Sequence, residues 1–174
     1  MTQRAIYKLV ARALRRPHVR SGAFPVGYFQ DHFNGTPLPE GWLAPPHELH
    51  GASYRLADAV AWKEPFPLLS PRAVEVLEAV APGCAEYRFF SEIKGVPYYV
   101  VNVLAIADPA ISAECPTLFR RPGPGLSDTF CVEDVPAAVV HHRLTGFCFR
   151  DPFQSEVKDL FYGKDTNVYP GVLA

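Results

Sequence analysis

The chain has 174 residues, 48% hydrophobic and 20% charged, with a formal net charge of −1. That length suits one domain with its own core and is short for two, and the composition excludes a disordered polypeptide. The first 20 residues carry Arg4, Lys8, Arg12, Arg15, Arg16 and Arg20 with no acidic group; the rest hold eleven basic against eighteen acidic residues, a net of −7, which argues against nucleic acid and suits a basic partner.

Residues 2–16 place Ile6, Leu9, Val10, Ala13 and Leu14 at the i, i+3, i+4 spacing of an amphipathic helix, which Pro17 would end. Its acid-free, arginine-rich face fits a docking helix; organelle presequences and membrane-surface helices share the pattern. Charges interrupt every apolar stretch there, so no secretory signal is expected, and no run is long enough to span a bilayer. Cys84, Cys115, Cys131 and Cys148 form no CxxC pair. The expectation is a cytoplasmic protein with free thiols.

Eighteen prolines and twelve glycines predict short elements between long loops. Residues 17–46 read as irregular, with a short strand near 27–29, and Asn34-Gly35-Thr36 fits a glycosylation sequon that reads here as a turn. His47-Glu48-Leu49-His50 is one residue short of the HExxH spacing that puts two imidazoles on one helix face. A polar loop is expected there; the competing reading is a small metal- or ligand-binding enzyme using His47 and His50.

Ser70 and Pro71 stand where an N-cap and a first-turn proline belong, ahead of Val74, Leu77 and Val80, and predict a helix over 71–80. Glu75 and Glu78 lie opposite its apolar stripe. Residues 87–93 and 98–104 predict a hairpin joined across Lys94-Gly95-Val96-Pro97. Its second strand is apolar on both faces except at Asn102, as in a central strand covered on both sides. Short strands are expected at 117–120 and 130–132. Gly125-Leu126-Ser127-Asp128-Thr129 begins like a nucleophile elbow, but Thr129 replaces the second glycine. Asp134 is expected to cap a helix running to about Leu144, stopped by Gly146, with 147–150 returning as a strand. His141 and His142 sit about 100° apart on that helix and do not chelate one ion together. The order predicts a single α+β domain over 1–174: a mostly antiparallel sheet with a central hairpin and flanking helices, 62–151 forming the regular core and 1–60 a less regular portion.

No acid, base and nucleophile converge in this pattern, so neither catalytic residues nor a resident metal or cofactor is expected. The acidic residues of the C-terminal part, Glu133, Asp134, Asp151, Glu156, Asp159 and Asp165, are instead the candidate partner-binding set, able to offer charge-assisted hydrogen bonds to a basic surface.

Four stretches carry a resemblance to a known family. Pro67-Leu68-Leu69-Ser70-Pro71-Arg72-Ala73-Val74-Glu75-Val76-Leu77 resembles the "p-l-(v/l)-S-x-r-(l/a)-x-x-(v/l)-L" helix of a family of bacterial polymorphic-toxin immunity proteins. Tyr98-Tyr99-Val100-Val101-Asn102-Val103-Leu104 is similar to its "Y-Y-l-l-N-v-l" strand, followed in both by an acidic connection, here at Asp108. Leu118-Phe119-Arg120 resembles its "i-F-R" strand and Leu144-Thr145-Gly146-Phe147-Cys148-Phe149 its closing "L-T-G" segment. The likeness covers about residues 62–151. The family opens with a short strand, where residues 2–16 here read as helix. The resemblance implies a cytoplasmic, non-enzymatic antidote that blocks a cognate toxin domain by direct binding, and nucleases are common among such toxins.

Overall fold

The structure is a computed structural model that describes residues 5–11, 18–22, 24, 28–50, 55–63, 66–108, 115–122 and 128–150. It is an α+β domain built on two sheets. The larger has six strands: β2 (His18–Ser21), β3 (His47–His50), β4 (Ala59–Lys63), β5 (Phe66–Leu69), β6 (Ala85–Ile93) and β7 (Val96–Val103), in the order β3-β2-β4-β5-β7-β6. All its pairs are antiparallel except β2 with β4. The smaller sheet is antiparallel throughout and joins β1 (Ile6–Ala11), β8 (Leu118–Arg120), β9 (Thr129–Val132) and β10 (Phe147–Arg150) in the order β10-β1-β9-β8.

The start of the chain departs from its helical spacing. Residues 6–11 form β1, inserted between β9 and β10, with Lys8 opposite Phe130 on one side and Arg150 on the other. The residues fit a strand equally well: Tyr7 and Leu9 point into the core while Lys8 meets Asp128 at 2.8 Å. With two neighbouring strands to complete, sheet hydrogen bonding prevails over a helix whose only support was amphipathicity. Residues 12–17 lie outside the described set, as does Gly27; the strand expected near 27–29 is replaced by a short helix, α1 (Tyr28–His32).

The middle of the chain follows its signals closely. Helix α2 (Pro71–Val80) has Pro71 in its first turn, and the Ser70 hydroxyl accepts a hydrogen bond from Ala73 N–H at 3.3 Å. Ala73 and Leu77 are buried, Glu75 and Glu78 exposed. The β6–β7 hairpin closes more tightly than expected, through Lys94 and Gly95 alone, both at positive φ (53° and 77°) as a type I′ turn requires. Pro97 is therefore inside β7, where pairing with β5 does not begin until Tyr99. Strand β7 is indeed covered on both faces. Val101 and Val103 enter one core with α2 and the small sheet, and Tyr98 and Val100 enter the other with the aromatic residues of 28–66.

Helix α3 (Asp134–His141) is shorter than expected, and Asp134 is its first residue rather than its cap. Glu133 holds the cap position in a helical conformation without a side-chain capping bond. The helix stops early because Leu144 must be buried: Arg143 N–H bonds Val140 O and Leu144 N–H bonds Val139 O, each at 2.9 Å, the Schellman closure. Arg143 occupies the left-handed position of that turn (φ 51°) where glycine is usual.

Candidate functional site

The network around Asp58 joins three distant parts of the chain. Its carboxylate accepts from the Ser70 hydroxyl (3.0 Å), Thr145 N–H (2.8 Å) and the Thr145 hydroxyl (3.1 Å). Backbone bonds reinforce it: Ser70 N–H donates to Asp58 O at 2.8 Å and Ala59 N–H to Thr145 O at 2.9 Å. Gly146 has φ +85° and no room for a side chain, since a Cβ would lie 2.1 Å from Ala59 O. Ser70 and the Thr145-Gly146 pair thus serve one junction between the two sheets and α2.

A second network clamps the loop after α1. Phe33 O accepts from Arg120, Thr36 O from Asn102 Nδ2 (2.8 Å) and Leu38 O from Arg88 (3.0 Å). Leu38 N–H donates to Glu86 Oε1, which also accepts from Asn102 at 2.7 Å, while Glu86 Oε2 pairs with Arg88 at 3.1 Å. Arg120 is buried, and burial alone pushes its pKa down. Its side chain belongs to the interior and is no surface contact. Arg121 lies over the Phe130 ring at 4.8 Å.

Of the acidic partner-binding set, Glu133 and Asp134 are described, both half-buried at the head of α3. Asp151, Glu156, Asp159 and Asp165 lie outside the described residues, as do Gly125, Leu126 and Ser127 of the elbow-like stretch at 125–129. His47 and His50 are on β3 rather than in a loop, and their odd spacing sends them to opposite faces of the strand. His47 Nδ1 is 2.8 Å from Pro45 O with its ring against Phe90, while His50 lies 3.6 Å from Glu48, so the two do not close on one ion. Among the described residues no three His, Cys, Asp or Glu side chains group as a metal site. Asn34-Gly35-Thr36 is a turn in which Asn34 Oδ1 accepts from both Thr36 N–H and its hydroxyl. No disulfide links the four cysteines, and no helix among the described residues is long and apolar enough to cross a membrane.

One concavity among the described residues was not foreseen from any motif. It is an open cleft of about 790 Å³ beside the Asp58 junction, lined by Arg55 from the loop before β4, Arg72 from α2 and Arg143 from the turn after α3. Leu56, Val96 and Val140 supply apolar wall, and Tyr98, its hydroxyl donating to Ala57 O, forms part of the lining. Burial, and then the nearby Asp58 charge, push the Tyr98 phenol up to about 12, so it stays neutral there. Arg72 Nη2 donates to His142 O and Nη1 lies 3.9 Å from Asp58. The only sequence signals were local oddities, an arginine in the first turn of α2 and another where α3 needs a glycine. The sequence matches no protein-family model, and comparison with curated proteins finds no match.

Proposed function

We propose that this chain is an immunity-type antidote, a cytoplasmic protein that binds a cognate bacterial toxin domain and occludes it without chemistry of its own. The observation that carries the reading is the way the family-like stretches meet. Ser70 and Thr145-Gly146 share the Asp58 junction, and Asn102 and Arg120 hold the same 33–38 loop. Residues scattered between positions 70 and 146 are thereby parts of one framework, which is how a likeness in fold, rather than in a chance string, is expected to distribute. Strand β1 adds to this, since the family opens with a short strand.

The partner we infer is a nuclease-like domain with a basic substrate groove, matched by the −7 balance of residues 21–174. Charge attraction of this kind speeds association and weakens with salt. The reading expects a toxin-like domain to be encoded beside this chain, and co-expression with it is the test: protection together with co-purification is expected, and absence of both sinks it. For the charge-matching part, replacing Asp151, Glu156, Asp159 and Asp165 by their amides lowers affinity at low salt, and the difference closes at high salt. A salt-independent affinity would remove the acidic surface from the account.

A further inference from the structure

We propose that the arginine-lined cleft is a binding site for a small phosphate monoester, the phosphate held by Arg55, Arg72 and Arg143 and its organic part lying along the apolar wall. This does not rest on the immunity reading. Three guanidinium groups against the single carboxylate of Asp58 give the lining a net +2, in a chain whose residues beyond the first 20 sum to −7. That carboxylate is already occupied by Ser70 and Thr145. Among the described residues, neither Arg55 nor Arg143 has an acidic partner.

Two of the arginines stand where local physics disfavours them. Arg72 is in the first turn of α2, whose positive dipole end favours an anion, and no acidic residue is present there. Arg143 holds a left-handed conformation that glycine would adopt without strain. Arg72 bonds the carbonyl of His142, the residue before Arg143, and both arginines line the same cleft. Local rules broken twice at one cleft are the kind of outlier from which a ligand site is inferred, beside the parts both residues play in the fold. A bound anion offsets the like charges of the lining.

The charge and shape favour phosphate over carboxylate. A phosphate monoester carries close to two negative charges near neutral pH and three acceptor oxygens, matching a +2 cleft with arginines arriving from three separate stretches of the chain. A carboxylate offers one charge in one plane. Arg72 spends part of its five-donor fork on His142 and keeps donors for the ligand. The volume falls within the roughly 300–1,000 Å³ of small-molecule sites.

Calorimetric titration of the full chain with phenyl phosphate, inorganic phosphate and benzoate tests the assignment. Saturable binding of phenyl phosphate is expected, tighter than inorganic phosphate and tighter at pH 7.5 than at pH 5, where the monoester loses its second charge. Benzoate is expected to bind at least roughly tenfold more weakly. Arg55→Ala and Arg143→Gly should each weaken phenyl phosphate by roughly tenfold. Arg143→Gly should melt at or above the wild-type temperature, which separates loss of ligand from loss of fold. No saturable binding at millimolar phenyl phosphate, benzoate binding equally well, or unchanged affinity in both variants would overturn the proposal.

Discussion

One face of the six-stranded sheet is roofed by α2, α3 and the four-stranded sheet, with a core of Leu69, Leu77, Val101, Val103 and Val139. The other is covered by α1 and the loop through Trp42, with a core dominated by aromatic rings: Phe29 stacks on Phe66 at 5.4 Å, Phe33 lies 4.5 Å from Phe66, and Trp62 lies 4.6 Å from Phe90. The difference lies in how each cover satisfies its backbone. Helices and strands pair their own N–H and C=O groups. The loop cannot, and its groups at Phe33, Thr36 and Leu38 borrow Arg120, Asn102, Arg88 and Glu86. An irregular cover thus demands buried polar side chains, whereas a regular one accepts an almost wholly apolar core.

Four perturbations set these two covers against each other. Gly146→Ala should be the most severe, because it meets Ala59 O and forces alanine to positive φ; a loss of about 4 kcal/mol is expected, read as scarce folded protein or a collapse of both cores together. Asp58→Ala leaves three donors without their acceptor on the regular side. Denaturant unfolding should show about 3 kcal/mol lost, with the transition still single. Glu86→Gln acts on the irregular side: it weakens the Arg88 pair and costs about 1–2 kcal/mol. Hydrogen exchange should quicken at Leu38 and Trp42 while α2 amides keep their protection. Equal acceleration in both would show that the covers open as one.

Alkali gives the finest comparison, with one tyrosine on each side. Tyr98 has a folded pKa of about 12, above the unfolded value near 10. Its stabilisation is whole below about pH 10 and falls as pH rises toward 12, because the unfolded chain releases its proton first. Tyr87 shifts upward for the same first reason, burial, reinforced by Glu78 and Cys84. Both Tyr98→Phe and Tyr87→Phe should reduce the drop in melting temperature between pH 9 and pH 11. At neutral pH they should differ. Tyr98→Phe loses its bond to Ala57 O and about 1 kcal/mol, whereas the buried Tyr87 hydroxyl has no partner among the described residues and its removal should cost almost nothing.

The same contrast decides what could be read from the sequence. Helix α2, the hairpin, β8, β9 and β10 were legible because cap, turn and apolar run are all local signals. Strand β1 was not, since Ile6, Leu9 and Val10 satisfy the helical spacing while the strands that claim them lie more than a hundred residues away. The clamp on the loop is formed by pairs 48 to 87 residues apart, which no motif records. Arg55, Arg72 and Arg143 share the same difficulty: the oddities at Arg72 and Arg143 are local and do not point to each other, and only the Asp58 junction brings the three together. The acidic set reads easily from composition, yet composition does not say which members share a surface.

The position of β1 has a kinetic consequence. It is the earliest of the described strands, and it sits between two of the latest described, with Lys8 opposite Phe130 and Arg150. A nascent chain emerging from the ribosome therefore offers β1 no partner until nearly the whole described sequence has been made. The hairpin and α2 are able to form while synthesis proceeds, but the smaller sheet closes only at the end, through contacts of long sequence separation that are slow to find. Until that moment Tyr7 and Leu9 remain uncovered, so the interval between the first strand and the last is when this chain is most open to misassembly.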